Sequence, residues 1–126
     1  MSLILDTGGL IAFERGDRHV AALLEAARRR RDRVVTSSGC VAQAWRGGGS
    51  RQALVARLLV GTTEVGLDRR MSRATGDLCH ASKTADVVDA HLALLAHDGD
   101  VVLTSDTNDL RNLLRTRRIN AHVLAC

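Results

Sequence analysis

The stretch Thr84–Asp106, TADVVDAHLALLAHDGDVVLTSD, reads as a helix, a turn, a strand and an acid. The apolar periodicity from Ala85 to Ala96 predicts a helix with Thr84 as its N-cap, ending at Asp98-Gly99. Asp86 and Asp89 lie three apart and so share one face in its first turns, beside Ala90, Ala93 and Leu94. Val101 to Thr104 is a short continuous apolar run, as in a buried strand. Ser105-Asp106 then opens a short helix, Asn108 to Arg115. Two carboxylates beside a core are costly unless something positive holds them.

Working outward, the same alternation recurs. Ser2 to Leu5 predicts a first buried strand, ended by Asp6-Thr7-Gly8-Gly9, with a helix beginning at Leu10 to Phe13. Asp17 caps a second helix with an apolar stripe of Val20, Leu23, Leu24 and Ala27, which ends in Arg28 to Arg31. Those arginines complement the helix dipole or contact nucleic acid. Val34 to Thr36 is a second strand, and Ser37 or Ser38 caps a helix from Gly39 to Arg46. Gly47-Gly48-Gly49 stops it, and Ser50 caps the next, Arg51 to Val60. Thr62 to Leu67 is a weak strand, Asp68 starts a helix to about Ser82, and Ala121 to Leu124 is the last strand. Residues 1–126 form one domain, α/β, with a largely parallel sheet and helices on both faces. Each strand-to-helix turn falls on the carboxyl edge, where such folds bind ligands.

Hydrophobic content of 45% argues for a packed domain rather than a disordered chain. Of 18 Lys+Arg, Lys83 is the only lysine, and the net charge is +4. Arginine forks suit phosphate, so nucleic acid is the first partner to consider, with a coding-sequence bias toward Arg as the alternative. Phe13 and Trp45 are the only aromatics, which counts against a reader that stacks single-stranded bases. Trp45 reads as core or interface, and His91, inside the Thr84 helix, as a packed group. Cys40, Cys79 and Cys126 are odd in number and widely spaced, supporting neither a disulfide framework nor a zinc knuckle. With no basic leader and no long apolar run, a cytoplasmic protein without a membrane segment is expected.

Asp6 and Asp106 each follow a strand directly and therefore sit on the carboxyl edge. The Thr84 helix runs antiparallel to the Val101 strand, so its start brings Asp86 and Asp89 to that edge. If strand order reverses between the first strand and the Val101 strand, all four acids face one crevice. Asp109 points to the same region, either as a further ligand or as an acid in a capping arrangement with Asp106. One close carboxylate pair costs about 4 kcal/mol at an effective dielectric near 20. A hard divalent cation relieves this, and Mg²⁺ or Mn²⁺ prefers an all-oxygen shell. An acidic cradle in an Arg-rich domain is a reasonable design for a phosphodiesterase. No His-x-x-x-His pair supports a zinc hydrolase. A receiver domain would want adjacent acids after the first strand and a lysine after the last. A haloacid-dehalogenase-like phosphatase would want Asp-x-Asp where this chain has Asp6-Thr7-Gly8.

Three segments in this order, Leu3-Ile4-Leu5-Asp6-Thr7, Ala85-Asp86-Val87-Val88-Asp89-Ala90 and Val102-Leu103-Thr104-Ser105-Asp106, resemble a PIN domain of the VapC toxin type. The resemblance spans essentially the whole chain. It implies a three-layer α/β/α domain whose five-stranded, mostly parallel sheet has the first and fourth strands at its centre. It further implies Mg²⁺- or Mn²⁺-dependent endonucleolytic cleavage of RNA, inhibition by a small cognate antitoxin, and a homodimer. Asp6, Asp86 and Asp106 match the family's first, third and fourth acids, and Thr7 and Thr104 its hydroxyl positions beside the metal. The family's usual Glu after the second strand is Gln43 here. Asp89, one turn beyond Asp86, is the candidate to replace that charge. The expected catalytic set is thus Asp6, Asp86, Asp89 and Asp106, with Asp109 as a further metal ligand. Thr7, Gln43, Arg46, Thr104 and Ser105 are the expected substrate contacts, Arg46 lying three residues after Gln43 on the same helix face. The alternative is an RNA-binding PIN domain that cleaves weakly or not at all, because Gln43 replaces an acid.

Overall fold

A computed structural model describes all 126 residues. The elements follow the order β1 (Ser2–Leu5), α1 (Thr7–Glu14), α2 (Arg18–Arg29), β2 (Arg33–Ser37), α3 (Ser38–Ala44), α4 (Ser50–Val60), β3 (Thr63–Val65), α5 (Arg69–Ser82), α6 (Val87–Leu94), β4 (Val101–Thr104), α7 (Thr107–Arg117) and β5 (His122–Ala125). The sheet order is β3-β2-β1-β4-β5. Every pairing is parallel, so the sheet is wholly rather than mostly parallel.

This order supplies the reversal that the acids require. From β1 the chain steps outward to β2 and β3, then returns to β4 on the other side of β1. Right-handed crossovers in opposite directions put α1 to α4 on one face and α5 to α7 on the other. Leu3, Ile4 and Leu5 pair with Val101, Val102 and Leu103. Ile4, Leu5, Val102 and Leu103 are fully buried, as expected for strands covered on both faces. β1 is the central strand, with β4 beside it. The carboxyl ends of β1 and β4 therefore lie side by side at the switch point.

Several boundaries differ from the sequence reading. α1 begins at Thr7, not Leu10, because Asp6 caps it by accepting from the Gly9 N–H. Gly8 and Gly9 both sit inside this helix, and at Gly8 there is no room for a side chain. A Cβ at Gly8 would lie 2.7 Å from Ser105 Cβ, and one at Gly9 3.4 Å from the Leu103 carbonyl. α6 begins at Val87 with Asp86 as its cap, while Thr84 Oγ1 accepts from the Asp86 N–H in the turn before it. That helix ends at Leu94, before the expected Asp98-Gly99. α4 starts at Ser50 behind Gly49, so Ser50 is its first residue and not its cap. α7 is longer than expected at both ends.

α3 stops at Ala44, where Trp45 turns extended with ψ 128°. Arg46 is therefore not on the same helix face as Gln43. Its Nη1 instead donates to the Trp45 carbonyl, and its backbone N–H to Gln52 Oε1. Trp45 is 42% exposed, which removes the core half of its core-or-interface reading. His91 is buried as expected, and burial lowers its pKa, yet its Nε2 has no hydrogen-bond partner. The three cysteines are free thiols, and no helix is long and apolar enough to cross a membrane.

Candidate metal centre at the carboxyl edge

Asp6 is the fixed point of the crevice. It ends β1, is buried, and is fully engaged. Its Oδ1 accepts from the Gly9 N–H at 2.8 Å, and its Oδ2 from the Thr104 hydroxyl and, at 3.2 Å, the Ser105 N–H. Burial raises its pKa, and these donors oppose the rise. Thr104 Oγ1 also accepts from the Asp106 N–H at 2.9 Å, so one hydroxyl links the ends of β1 and β4. Thr7 Oγ1 donates to Gln43 Oε1, which ties the start of α1 to α3.

The other acids come from α6 and α7. Asp86 Oδ1 accepts from the Asp89 N–H at 2.9 Å, so Asp86 caps the helix that carries Asp89. Asp106 stands at the cap position of α7 but makes no side-chain cap bond, leaving its carboxylate free. The capping arrangement considered for Asp106 and Asp109 is therefore absent. The two carboxyl groups instead face each other, and the nearby Asp106 carboxylate raises the Asp109 pKa. Carboxylate oxygens of Asp89, Asp106 and Asp109 lie within 4.8 Å of one another. Asp89 is half-buried, and burial, then the charges of Asp86, Asp106, Asp6 and Asp109, raise its pKa from 3.8 to about 7. No arginine or lysine is among the groups acting on it.

This donor set fits a hard divalent cation. It is all oxygen, it combines a half-buried with two exposed carboxylates, and it lacks any protein cation to neutralise it. Of the five acids expected from sequence, Asp89, Asp106 and Asp109 form the tight group. Asp86 and Asp6 act on Asp89 through their charge and hold helix starts.

The sequence reading missed three residues here. Gly8 lets Ser105 approach α1. Arg15 and Cys126 line a cavity of about 470 Å³ with Gly8 and Ser105, making Arg15 a cation in the space beside Asp6. Cys126 is drawn in by its backbone N–H, which donates to the Thr104 carbonyl at 3.0 Å. Burial and the Asp6 and Asp17 charges push its thiol up to about 11, so it stays protonated at neutral pH. A positive residue at the end of the first helix was the one available sign of Arg15.

The fold and this acidic switch point define a PIN-like α/β/α domain. Among solved structures, the chain is similar to one in the crystal structure of VapBC2 from Rickettsia felis bound to a DNA fragment from their promoter. The TM-score is 0.71 over 98% of this chain and 99% of that one, at 11% sequence identity. At that identity the likeness establishes the fold, and the PIN-domain resemblance read from the sequence holds at that level. No family model and no curated protein matches the chain.

Proposed function

We propose that the protein is a metal-dependent endoribonuclease toxin of a VapBC-like toxin–antitoxin pair. The observation that carries this reading is the group of Asp89, Asp106 and Asp109, with no arginine or lysine acting on its half-buried member Asp89, in a net positive chain. The likeness to a VapBC2 chain supports the pairing with a small antitoxin. A homodimer and a cytoplasmic site of action belong to the same proposal.

Asp89, Asp106 and Asp109 are the residues that would hold Mg²⁺ or Mn²⁺, with Asp6 and Asp86 adding negative charge. A bound divalent ion neutralises the scissile phosphate and makes water a nucleophile near neutral pH. Asp6 fixes the Thr104 hydroxyl and Ser105 N–H, and through Thr104 the Asp106 backbone. Ser105 and Arg15, which line the neighbouring cavity, would contact the RNA backbone. Attack by water leaves a 5′-phosphate and a 3′-hydroxyl, whereas a 2′,3′-cyclic phosphate would overturn the reading.

The test is incubation with total RNA in Mg²⁺ and in EDTA, with Asp106→Asn as control. Cleavage that needs Mg²⁺ and is lost in the variant is expected. Equal cleavage by the variant would sink the proposal. Gln43 favours the second reading, an RNA-binding domain with weak cleavage, because it places a neutral amide where Thr7 is anchored. RNA retained without cleavage, and growth unaffected by Asp6→Asn, would select it.

A further inference from the structure

The amino edge of the sheet carries the cations that the crevice lacks. α2 and α7 end there in Arg28, Arg29, Arg115 and Arg117, and β2 begins there with Arg33. Arg28 and Arg29 are paired with Glu25, and Arg30 with Asp32. Arg33, and Arg70 in the first turn of α5, make no salt bridge in the molecule. Both line a cavity of about 410 Å³, with Arg117 and His97, over a floor that includes Met71 and Leu95. That volume is in the range of small-ligand sites, roughly 300–1,000 Å³.

The cavity is distinct from the acidic crevice. Ser2 on its wall begins β1 and Asp6 follows the end of that strand, a separation on the order of 13 Å in extended chain. Asp68 and Asp77 lie on a neighbouring cavity that shares Arg70, and Asp100, which bonds two residues of the wall, is already engaged. Its Oδ1 accepts from the Ser2 N–H at 2.7 Å, its Oδ2 from the His97 N–H at 2.9 Å, and it stands 3.7 Å from His97 Nδ1. Arg117 is anchored, with Nη1 donating to the Ala93 and Ala96 carbonyls at 2.6 and 2.9 Å. It adds fixed charge to the wall, and Arg33 and Arg70 supply the free donors.

We propose that this cavity binds the phosphate of a nucleotide through Arg33 and Arg70, with the apolar floor under the base or sugar. Guanidinium forks match phosphate oxygens in pairs, and two unpartnered ones on one wall leave that capacity unused. Met71 and Leu95 offer an adaptable apolar surface that a bare inorganic anion would not use. The nucleotide can be free or a unit of an RNA chain, since both present the same phosphate and base. The site does not depend on cleavage at the acidic crevice.

The test uses the full chain in EDTA, which removes any divalent ion from the acids. Titration with AMP, followed by amide chemical shifts, is expected to saturate in the millimolar range or below and to move Ser2, Arg33 and His97. Adenosine, lacking the phosphate, is expected to bind about tenfold more weakly. The variant Arg33→Gln/Arg70→Gln is expected to lose about tenfold in AMP affinity with an unchanged melting temperature, because both side chains are exposed and unpaired. Displacement of AMP by a short RNA oligonucleotide identifies RNA as the source of the phosphate; failure to displace it identifies the free nucleotide. Absence of saturation, equal binding of adenosine and AMP, equal affinity in the variant, or shifts confined to Asp6 and Asp106 would each overturn the proposal.

Discussion

In metal-free protein, Asp89 makes stability fall as pH rises. Its carboxyl has a pKa of about 7 in the folded chain against 3.8 ordinarily. Between those values the folded state keeps a proton that the unfolded state has released. Stability therefore declines from about pH 4 to about pH 7 and levels off above, the reverse of a salt-bridged aspartate. Taken whole, the interval corresponds to about 4 kcal/mol at ~1.4 kcal/mol per pH unit. Asp89 is only half-buried, and water screening reduces the recoverable part to about 1–2 kcal/mol. The assay is urea unfolding in EDTA across this range, for wild type and Asp89→Asn. The variant should gain about 1–2 kcal/mol on wild type between the two ends, because it has no charge to bury at high pH. Added Mg²⁺ should restore wild-type stability at pH 8 and do much less for the variant. A difference between wild type and variant that stays constant with pH would refute the electrostatic account of the crevice.

Other perturbations probe the remaining groups. Asp89→Asn should weaken Mg²⁺ binding by at least about tenfold in calorimetry, and equal affinity would remove Asp89 from the metal set. Asp6→Ala leaves the Gly9 and Ser105 N–H groups and the Thr104 hydroxyl without their acceptor and should cost about 2–4 kcal/mol in urea unfolding, while Asp6→Asn, which keeps one carbonyl oxygen, should cost less. Gly8→Ala must move Ser105, since the added Cβ would stand 2.7 Å from its Cβ; RNA cleavage should fall more steeply than the melting temperature. Gln43→Glu should tighten Mg²⁺ binding and raise the Asp89 pKa further, both readable by NMR titration of the Asp89 side chain.

The fold was legible because its strands are short, apolar and followed directly by acids or hydroxyls. Ile4, Leu5, Val102 and Leu103 belong to a sheet covered on both faces, and such strands announce themselves as continuous runs. Asp17 and Asp68 were readable as caps for the same local reason, and both accept from the N–H three residues on. Asp86 was misassigned because Thr84 and Asp86 are both capping types two residues apart, and sequence does not say which closes the helix. The end of α3 was missed because Gln52, from the next helix, accepts from the Arg46 and Gly47 N–H groups, a tertiary contact with no local signal. Convergence of acids was legible from topology. Which three of the five group tightly was not, since that depends on which carboxylates are spent as hydrogen-bond acceptors.

That division of labour also gives Gln43 a physical reading. Its Oε1 accepts from Thr7 Oγ1, a bond that a glutamate would make equally well. A glutamate would also add negative charge next to Asp6, in a crevice where Asp89 already titrates near neutrality. The amide thus preserves the link between α1 and α3 while sparing the apo protein further repulsion. What it gives up is a charged ligand, and Asp89 stands on a separate helix, capped by Asp86, within reach of Asp106 and Asp109. The arginines that end α2 and α7 and begin β2 do not make up the difference, because they gather at the opposite edge of the sheet. Under the proposed function, a crevice built this way would take an external cation for its charge balance, and its affinity for that cation would fall as Asp89 is protonated.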